Sequence, residues 1–183
     1  DNWTCYSEFI GNAKGIYLNA TNAEISASTF WNSTSPTSSV FTIGSDNTWN
    51  SPSILYYCFA DVKGYSKFGK YVGNGNANGT FVYTGFKPAW IMSKSYSNTE
   101  SWIIKDATRD PVNPADTNLA ANSANSESTW GTEYDIDILS NGFKMRDTAG
   151  QTNGNGYDFI YLAFAENPFV GNDSGTAVPA TAR

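Results

Sequence analysis

Three acidic residues within five positions are the part of this sequence best suited to chemistry. Glu133, Asp135 and Asp137 alternate with Tyr134 and Ile136, and alternate residues of a β-strand point to one face. Two carboxylates on one face can hydrolyse a glycoside with retention when they lie roughly 5 to 5.5 Å apart. The spacing therefore makes a glycan hydrolase one candidate function.

The same acidic strand also has a non-catalytic explanation. It resembles the Glu-x-Asp-x-x-Glu strand of laminarinase-like enzymes, but its last acid is Asp137, at a different spacing. Residues 32–39, which lie at the corresponding place about 100 residues earlier in an internal repeat, contain no acid. Charges on a strand edge also deter unwanted pairing. We therefore predict no catalytic residue and no enzymatic activity, and the hydrolase stays an alternative.

Composition excludes several other classes of function. The 183 residues include no His, so a Ser-His-Asp triad, a Cys-His pair and most zinc sites cannot be built. The net charge of -6 and the pI near 4.5 provide no basic surface for nucleic acid. No apolar run reaches the roughly 20 residues that cross a bilayer. We predict no cofactor, no nucleic-acid partner and no membrane insertion.

Aromatic residues among polar ones suggest a binding surface for sugars. Aromatic rings stack on sugar rings while neighbouring Asn and Asp side chains hydrogen-bond the hydroxyls. Trp49, Tyr65 and Tyr96 are the ligand-binding candidates, and Tyr71 belongs to the same group. Ordinary packing in the core is the alternative for each of them.

Two glycine-rich runs and two isolated acids are considered as phosphate or metal sites. Residues 71–79 and 150–156 have neither the Lys nor the following helix of a phosphate-binding loop, so they predict flexible hairpin loops. Asp46 and Asp147 each stand alone in a turn, whereas calcium needs several oxygen ligands. We predict no metal site, with a calcium role for these two residues as the alternative.

The two cysteines do not form a disulfide framework. Cys5 and Cys58 correspond to Ile104 and Ala163 in the second copy of the repeat, and both of these are apolar strand positions. They predict buried free thiols, and a disulfide between neighbouring strands is the alternative.

The pattern of the whole chain favours the all-β class. Aromatic residues form 15% of the sequence, and they favour strands, as β-branched residues do. Short strands are expected at residues 81–83, 89–92 and 102–104, and a hairpin with a primed Asn-Gly turn at 136–145. Residues 54–60 and 159–165 are apolar at both parities, which predicts central strands buried on both faces. Residues 111–128 predict a long loop with a short strand or turn around Leu119. These elements predict an antiparallel β-sandwich.

The chain also resembles itself at a separation of roughly 100 residues. Residues 54–61 resemble 159–166, residues 40–43 resemble 142–145, and residues 17–20 resemble 118–121; Trp3 and Trp31 match Trp102 and Trp130. This predicts tandem copies: residues 1–64 are the C-terminal two-thirds of a first repeat, 65–170 a complete second repeat, and 171–183 a linker or tail. The remaining third of the first repeat would precede Asp1. A single domain with accidental similarity is the alternative.

Three segments resemble a domain of tail-fibre-like virion proteins of marine tailed phages. They are residues 81–90, 139–146 and 160–169, and residues 58–69 look like the junction between two copies of that domain. The resemblance implies a concanavalin A-like, or jelly-roll, sandwich in successive copies. It implies no catalytic residue.

The resemblance also implies a function. We expect a non-catalytic, extracellular virion protein, a module of a tail fibre or appendage that contacts host-surface glycans. Its partners would be other virion subunits, in a homo-oligomer that is trimeric by analogy. The alternatives are a head decoration or fibre-shaft spacer without receptor binding, and the laminarinase-like hydrolase that would use Glu133, Asp135 and Asp137.

Overall fold

The computed structural model describes residues 2–45, 54–129 and 131–168, and within them the chain is mostly antiparallel β-sheet. The first elements are β1 (Thr4–Cys5), β2 (Lys14–Tyr17), β3 (Ile25–Ser26) and a helical turn, α1 (Ser28–Trp31). Then follow β4 (Ser66–Val72), β5 (Phe81–Tyr83), β6 (Pro88–Ser95), β7 (Ile103–Asp106) and β8 (Leu119–Ala120). The last are β9 (Ile136–Leu139), β10 (Gly142–Met145), a second helical turn, α2 (Gly150–Asn153), and β11 (Asp158–Ala165). The all-β prediction is confirmed.

These strands form three sheets. The largest has the order β4-β11-β6-β7-β8, and the two smaller ones have the orders β5-β10-β9 and β1-β2-β3. The expected strands at 81–83, 89–92 and 102–104 lie at β5, β6 and β7, and β8 is the short strand expected around Leu119. Sequence patterning therefore placed these strands to within a few residues.

Strand β11 is the centre of the molecule, as its apolar character predicted. It pairs with β4 on one side and β6 on the other. Phe159 and Tyr161 point to one face and Ile160 to the other, and all three are buried. A strand buried on both faces needs a layer on each side, and the two smaller sheets provide these layers.

The first layer is the β5-β10-β9 sheet. Phe143 and Met145 of β10, with Ile136 of β9, share one hydrophobic cluster with Phe159 and Tyr161 of β11. The Phe143 ring meets the Tyr161 ring edge-on, with centroids 5.4 Å apart. This cluster between two sheets is the main core of the molecule.

The second layer is the β1-β2-β3 sheet. Ile16 of β2 is fully buried and shares a second cluster with Trp102 and Ile160. The Trp102 indole N–H donates a 2.8 Å hydrogen bond to the carbonyl of Tyr17. Residues near the start of the chain therefore cover the outer face of the large sheet.

Residues 54–60 differ from their prediction. They were expected to form a central buried strand, but they belong to no strand, and Leu55, Tyr57 and Phe59 are 71%, 66% and 61% exposed. Their composition matches that of β11, but none of the described strands pairs with them. A strand needs neighbours as well as propensity.

The hairpin at 136–145 is present, but its turn differs from the prediction. Leu139 pairs with Gly142, so Ser140 and Asn141 form the loop. A primed turn needs positive φ in its central residues, and Asn141 is not among the described residues with positive φ. Gly142 is instead required by a neighbouring strand, because a Cβ there would lie 2.0 Å from the Val82 carbonyl oxygen.

The glycine-rich runs also differ from flexible loops. Residues 150–153 form α2, and Asn153 is completely buried. Its side-chain amide donates to the Asn74 side chain (3.0 Å), the Asn76 carbonyl (2.9 Å) and the Asp147 carbonyl (2.7 Å). One buried amide therefore ties the two runs together.

Within the described residues, no helix has the length and apolar character needed to cross a membrane. The division into 1–64, 65–170 and 171–183 stays a prediction, and residues 171–183 lie outside the described part.

Candidate functional site

The three acids that the sequence singled out lie in three different environments. Glu133 is exposed in the turn before β9, whereas Asp135 is buried and only 7% exposed. Asp137, on β9, forms an ion pair with Arg146, with Oδ2 and Nε 3.4 Å apart. Strand alternation does not extend to Glu133, because β9 begins at Ile136 and Tyr134 has a φ of 68°. The expectation that all three share one strand face is wrong.

Glu133 and Tyr134 line an open pocket of about 350 Å³. Its walls come from the start of β7, from β8 and the loop after it, from the turn before β9, and from α2. The other lining residues are Ser101, Ala120, Ser123, Asn125 and Gln151. The lining combines one aromatic ring with hydroxyl, amide and carboxylate groups, and it contains no cationic side chain.

Tyr134 holds an unusual backbone conformation in this pocket. A φ of 68° is in the left-handed region, which for a bulky residue costs about 1 to 3 kcal/mol and is found most often at binding and catalytic sites. Burial, and then the charge of Glu133 and a hydrogen bond with it, raise the pKa of the Tyr134 phenol to about 12. The ring is therefore a neutral aromatic surface at all physiological pH values.

Gln151 offers an unused hydrogen-bond acceptor beside Tyr134. Its Oε1 atom is buried, and no described residue donates a hydrogen bond to it. A buried acceptor without a partner lowers the stability of the folded state by about 1 to 3 kcal/mol. A ligand hydroxyl would supply this hydrogen bond only if the Gln151 amide turned towards the pocket that its side chain lines.

The side chain of Asp147 holds the turn that carries Gln151. Asp147 Oδ1 accepts hydrogen bonds from the Ala149 N–H (2.7 Å) and the Thr152 hydroxyl (2.8 Å). These bonds account for Oδ1, whereas Oδ2 of Asp147 is buried without a hydrogen-bond partner among the described residues. The described residues contain no group of three or more acids, Cys or His that could hold a metal ion. Asp46, the other calcium candidate, lies outside the described residues.

A buried lysine lies near these acids. Lys105 is 2% exposed, and its ammonium donates to the Ala115 carbonyl at 2.9 Å. Burial lowers the pKa of Lys105 to about 8, partly opposed by Asp135 and other acids. Burial also raises the pKa of Asp135 and that of Asp147. These groups are buried; Lys105 binds the Ala115 carbonyl, and Asp147 holds the turn of α2.

A second glutamate lies close to the pocket. Glu100 is half-buried against Gly150, so closely that a side chain at position 150 would meet its carboxylate. Burial raises the pKa of Glu100 above its ordinary value, and its charge also acts on Tyr134. Sequence reasoning missed Glu100, because it stands alone between small polar residues.

The aromatic ligand candidates lie elsewhere. Tyr65 is 46% exposed beside Phe164, and Tyr96 is half-buried against the second cluster. Tyr71 is buried, stacks on Phe159 at 4.7 Å and donates its hydroxyl to the Thr152 carbonyl. Trp49 lies outside the described residues. None of the three described candidates lines the pocket. Tyr134 does, but in the sequence it stands between two acids and shows no sign of a ligand-binding role.

Both cysteines have free thiols. Cys5 is half-buried, and burial raises its pKa to about 11. Cys58 is exposed, so the prediction of free thiols is confirmed and the prediction that both are buried is wrong.

The comparisons with known proteins give one match. Residues 1–168 match the family described as "Domain of unknown function (DUF7483)". Neither the curated proteins nor the solved structures give a match.

Proposed function

The chain belongs to the DUF7483 family, and we propose that it is a non-catalytic structural module of a phage virion that contacts host-surface glycans through the pocket at Tyr134. The module is a concanavalin A-like sandwich, and successive copies of it occur within a tail fibre or similar appendage. Its partners are other virion subunits, in a trimer by analogy with fibres.

The pocket is the observation that carries glycan binding. The Tyr134 ring, carried by a strained backbone, and several hydroxyl and amide side chains line an open depression, and the unpartnered amide oxygen of Gln151 is buried in its wall. Sugar rings stack on aromatic faces and need many hydrogen-bond partners around their edges. The absence of a cation from the pocket lining favours neutral sugars over phosphorylated ones.

The distribution of acids supports a binding role over a catalytic one. Glycoside hydrolysis needs two carboxylates that flank one bond, and Glu133 is the one carboxylate in the pocket lining. Asp135 is buried and Asp137 is paired with Arg146. The hydrolase alternative would have to recruit Glu100 in place of these two.

A glycan array followed by titration tests the proposal. Tyr134→Ala and Gln151→Ala should each weaken binding, by about tenfold for Tyr134→Ala, which corresponds to about 1.4 kcal/mol. Tyr83→Ala is the matched control, because Tyr83 is 65% exposed on β5 and does not line the pocket. Equal affinity of Tyr134→Ala and the unmodified chain would place the binding site elsewhere.

Two further outcomes separate the alternatives. A chain that binds no glycan in any assay would favour the spacer or head-decoration role. Release of reducing sugar by the unmodified chain, abolished in Glu133→Gln, would instead establish the hydrolase.

A further inference from the structure

Two exposed segments repeat the sequences of two core strands. Residues 40–43 resemble β10, and residues 54–60 resemble β11. In the core strands Phe143 and Ile160 are 0% and 5% exposed, whereas their counterparts Phe41 and Leu55 are 39% and 71% exposed. The same kind of sequence is therefore buried in one half of the chain and uncovered in the other.

The uncovered segments nevertheless meet as the core strands do. Phe41 corresponds to Phe143 and Tyr56 to Tyr161 in the two alignments. The Phe41 and Tyr56 rings lie 5.1 Å apart, and the Phe143 and Tyr161 rings lie 5.4 Å apart. The contact that joins two sheets in the main core therefore has a counterpart between the exposed segments.

A second correspondence lies at the start of the chain. The Trp3 N–H donates to Asn19 Oδ1 at 2.8 Å, and the Trp102 N–H donates to Asn122 Oδ1 at 2.8 Å. Each tryptophan carbonyl also accepts a hydrogen bond from the residue before that asparagine, Leu18 or Ala121. The pairing of β1 with β2 thus corresponds to that of β7 with β8. In this correspondence Asn19 matches Asn122, which is two residues beyond its match in the alignment of residues 17–20 with 118–121.

The first half therefore has counterparts of β7, β8, β10 and β11, but no described strand acts as β4 or β6 beside residues 54–60. We propose that residues 54–60 form the central strand of a second sheet, completed by a strand segment of the type of residues 66–95 from a different module of this family. A second copy of this chain is not the occupant, because its own residues 66–95 are already paired in its large sheet. The inference rests on the tandem copies in the proposed function, and not on glycan binding.

The contacts of β11 define what the occupant must provide. Tyr161 pairs with Gly69 of β4, where a Cβ would lie 2.5 Å from the tyrosine ring. The occupant therefore needs a glycine opposite Tyr56. Ala163, the counterpart of Cys58, is fully buried between Lys67 of β4 and Ile91 of β6. Binding would bury the exposed Cys58 thiol in the same way.

The new sheet would continue an existing surface. Phe59 lies 6.0 Å from Phe68 on β4 and 6.2 Å from Phe164 on β11, measured between ring centroids. Asp61 accepts a 2.7 Å hydrogen bond from the Phe68 N–H. One end of the segment is therefore already fixed to the large sheet, and residues 54–58 are the part left to be covered.

Thiol alkylation of the full chain tests the proposal. A peptide with the sequence of residues 64–96 is added, and the modification of Cys58 is followed by mass spectrometry, with half-buried Cys5 as the internal reference. We expect the peptide to slow alkylation of Cys58 by at least about tenfold, as burial of a thiol does. The same peptide with Gly69→Val should give no protection.

A fusion removes dependence on peptide solubility. Residues 64–96 are joined ahead of Asp1 through a flexible Gly/Ser linker, which raises their effective concentration to about the millimolar range. Cys58 should be protected in this fusion and exposed again when its added segment carries Gly69→Val. Unprotected Cys58 in the fusion overturns the proposal. In samples free of fibrils, protection that grows with chain concentration without any peptide also overturns it, because a second copy of the chain would then be the occupant. Loss of glycan binding would leave these results unchanged.

Discussion

Lys105 shows how a single residue acquires a role that its neighbours in sequence do not indicate. It follows two apolar residues at the end of β7, where a lysine usually faces solvent. The structure buries it on the same face as Ile91, with which it pairs, towards the main core. Four acids act on its charge: Asp135, Asp110, Asp147 and Asp116. Those acids come from loops whose fold over Lys105 has no local signal.

Burial of Lys105 and Lys94 predicts a stability that rises with pH. Burial lowers the pKa of each to about 8, from an ordinary value of 10.5. Between these values the folded state has lost a proton that the unfolded state retains, so the free energy of unfolding increases with pH. We expect about 2 kcal/mol for each lysine between pH 8 and 10.

Urea denaturation across this pH range measures the effect. Lys105→Met should reduce the rise by about 2 kcal/mol, and Lys70→Met, at an exposed position on β4, should leave the rise unchanged. Cys5 subtracts from the rise in every variant, because burial raises its pKa to about 11. Above pH 10 the trend should reverse, because burial raises the pKa of Tyr161 to about 12 and ionisation then favours unfolding. Equal pH profiles for Lys105→Met and the unmodified chain would contradict the burial of the Lys105 ammonium.

Two substitutions of Tyr134 should differ in their effect on stability but not in their effect on glycan binding. At a φ of 68° glycine is unstrained, whereas alanine keeps the penalty of a side chain. Tyr134→Gly should therefore be more stable than Tyr134→Ala by about 1 kcal/mol, while both lose glycan affinity equally. Chemical denaturation and glycan titration of the two variants check this, and equal stabilities would contradict the strained turn.

Gly142 also has a structural role that its neighbours in sequence do not indicate. The sequence Asn141-Gly142 is typical of a primed turn, and the hairpin was predicted correctly for a partly wrong reason. Gly142 lies inside β10, between Leu139 of β9 and Tyr83 of β5. A hairpin pattern is local, but the third strand that excludes a Cβ comes from about 60 residues earlier in the chain.

Gly142→Ala should therefore destabilise the β5-β10-β9 sheet. Its Cβ would overlap the Val82 carbonyl, and forced repacking of this kind costs about 1 to 3 kcal/mol. Gly85→Ala is the comparison, because Gly85 has a positive φ but no atom closer than 3.6 Å to the added Cβ. Denaturation midpoints in which Gly142→Ala is the milder change would contradict the close approach of the two strands.

Residues 54–60 and β11 mark the limit of prediction for an element. Both have the apolar pattern of a central strand, and β11 is one. The other is exposed, because pairing depends on strands far away in sequence, which composition does not reveal. The candidate site could be predicted only in part for a similar reason. Glu133 is visible as an acid in the sequence, but Gln151 and Glu100 come from segments distant from it in the chain.

At the scale of the whole molecule, the β1-β2-β3 layer predicts a stability effect far from the main core. Ile16 is fully buried against Trp102 and Ile160. Ile16→Ala should lower the free energy of unfolding by about 2 to 5 kcal/mol, although it lies near the start of the chain. Val112→Ala, at a position 75% exposed, should change it by less than about 0.5 kcal/mol. A neutral Ile16→Ala would mean that the layer does not cover the large sheet in solution.

The uncovered segment also affects how the purified chain behaves. Residues 54–59 are Ile, Leu, Tyr, Tyr, Cys and Phe, with no charge, proline or glycine. A run of this kind is the signature of cross-β stacking between molecules, so concentrated solutions should form thioflavin-positive fibrils that begin at this segment. A charged residue at Tyr57 would act as a gatekeeper against fibrils and make the chain easier to store and crystallise.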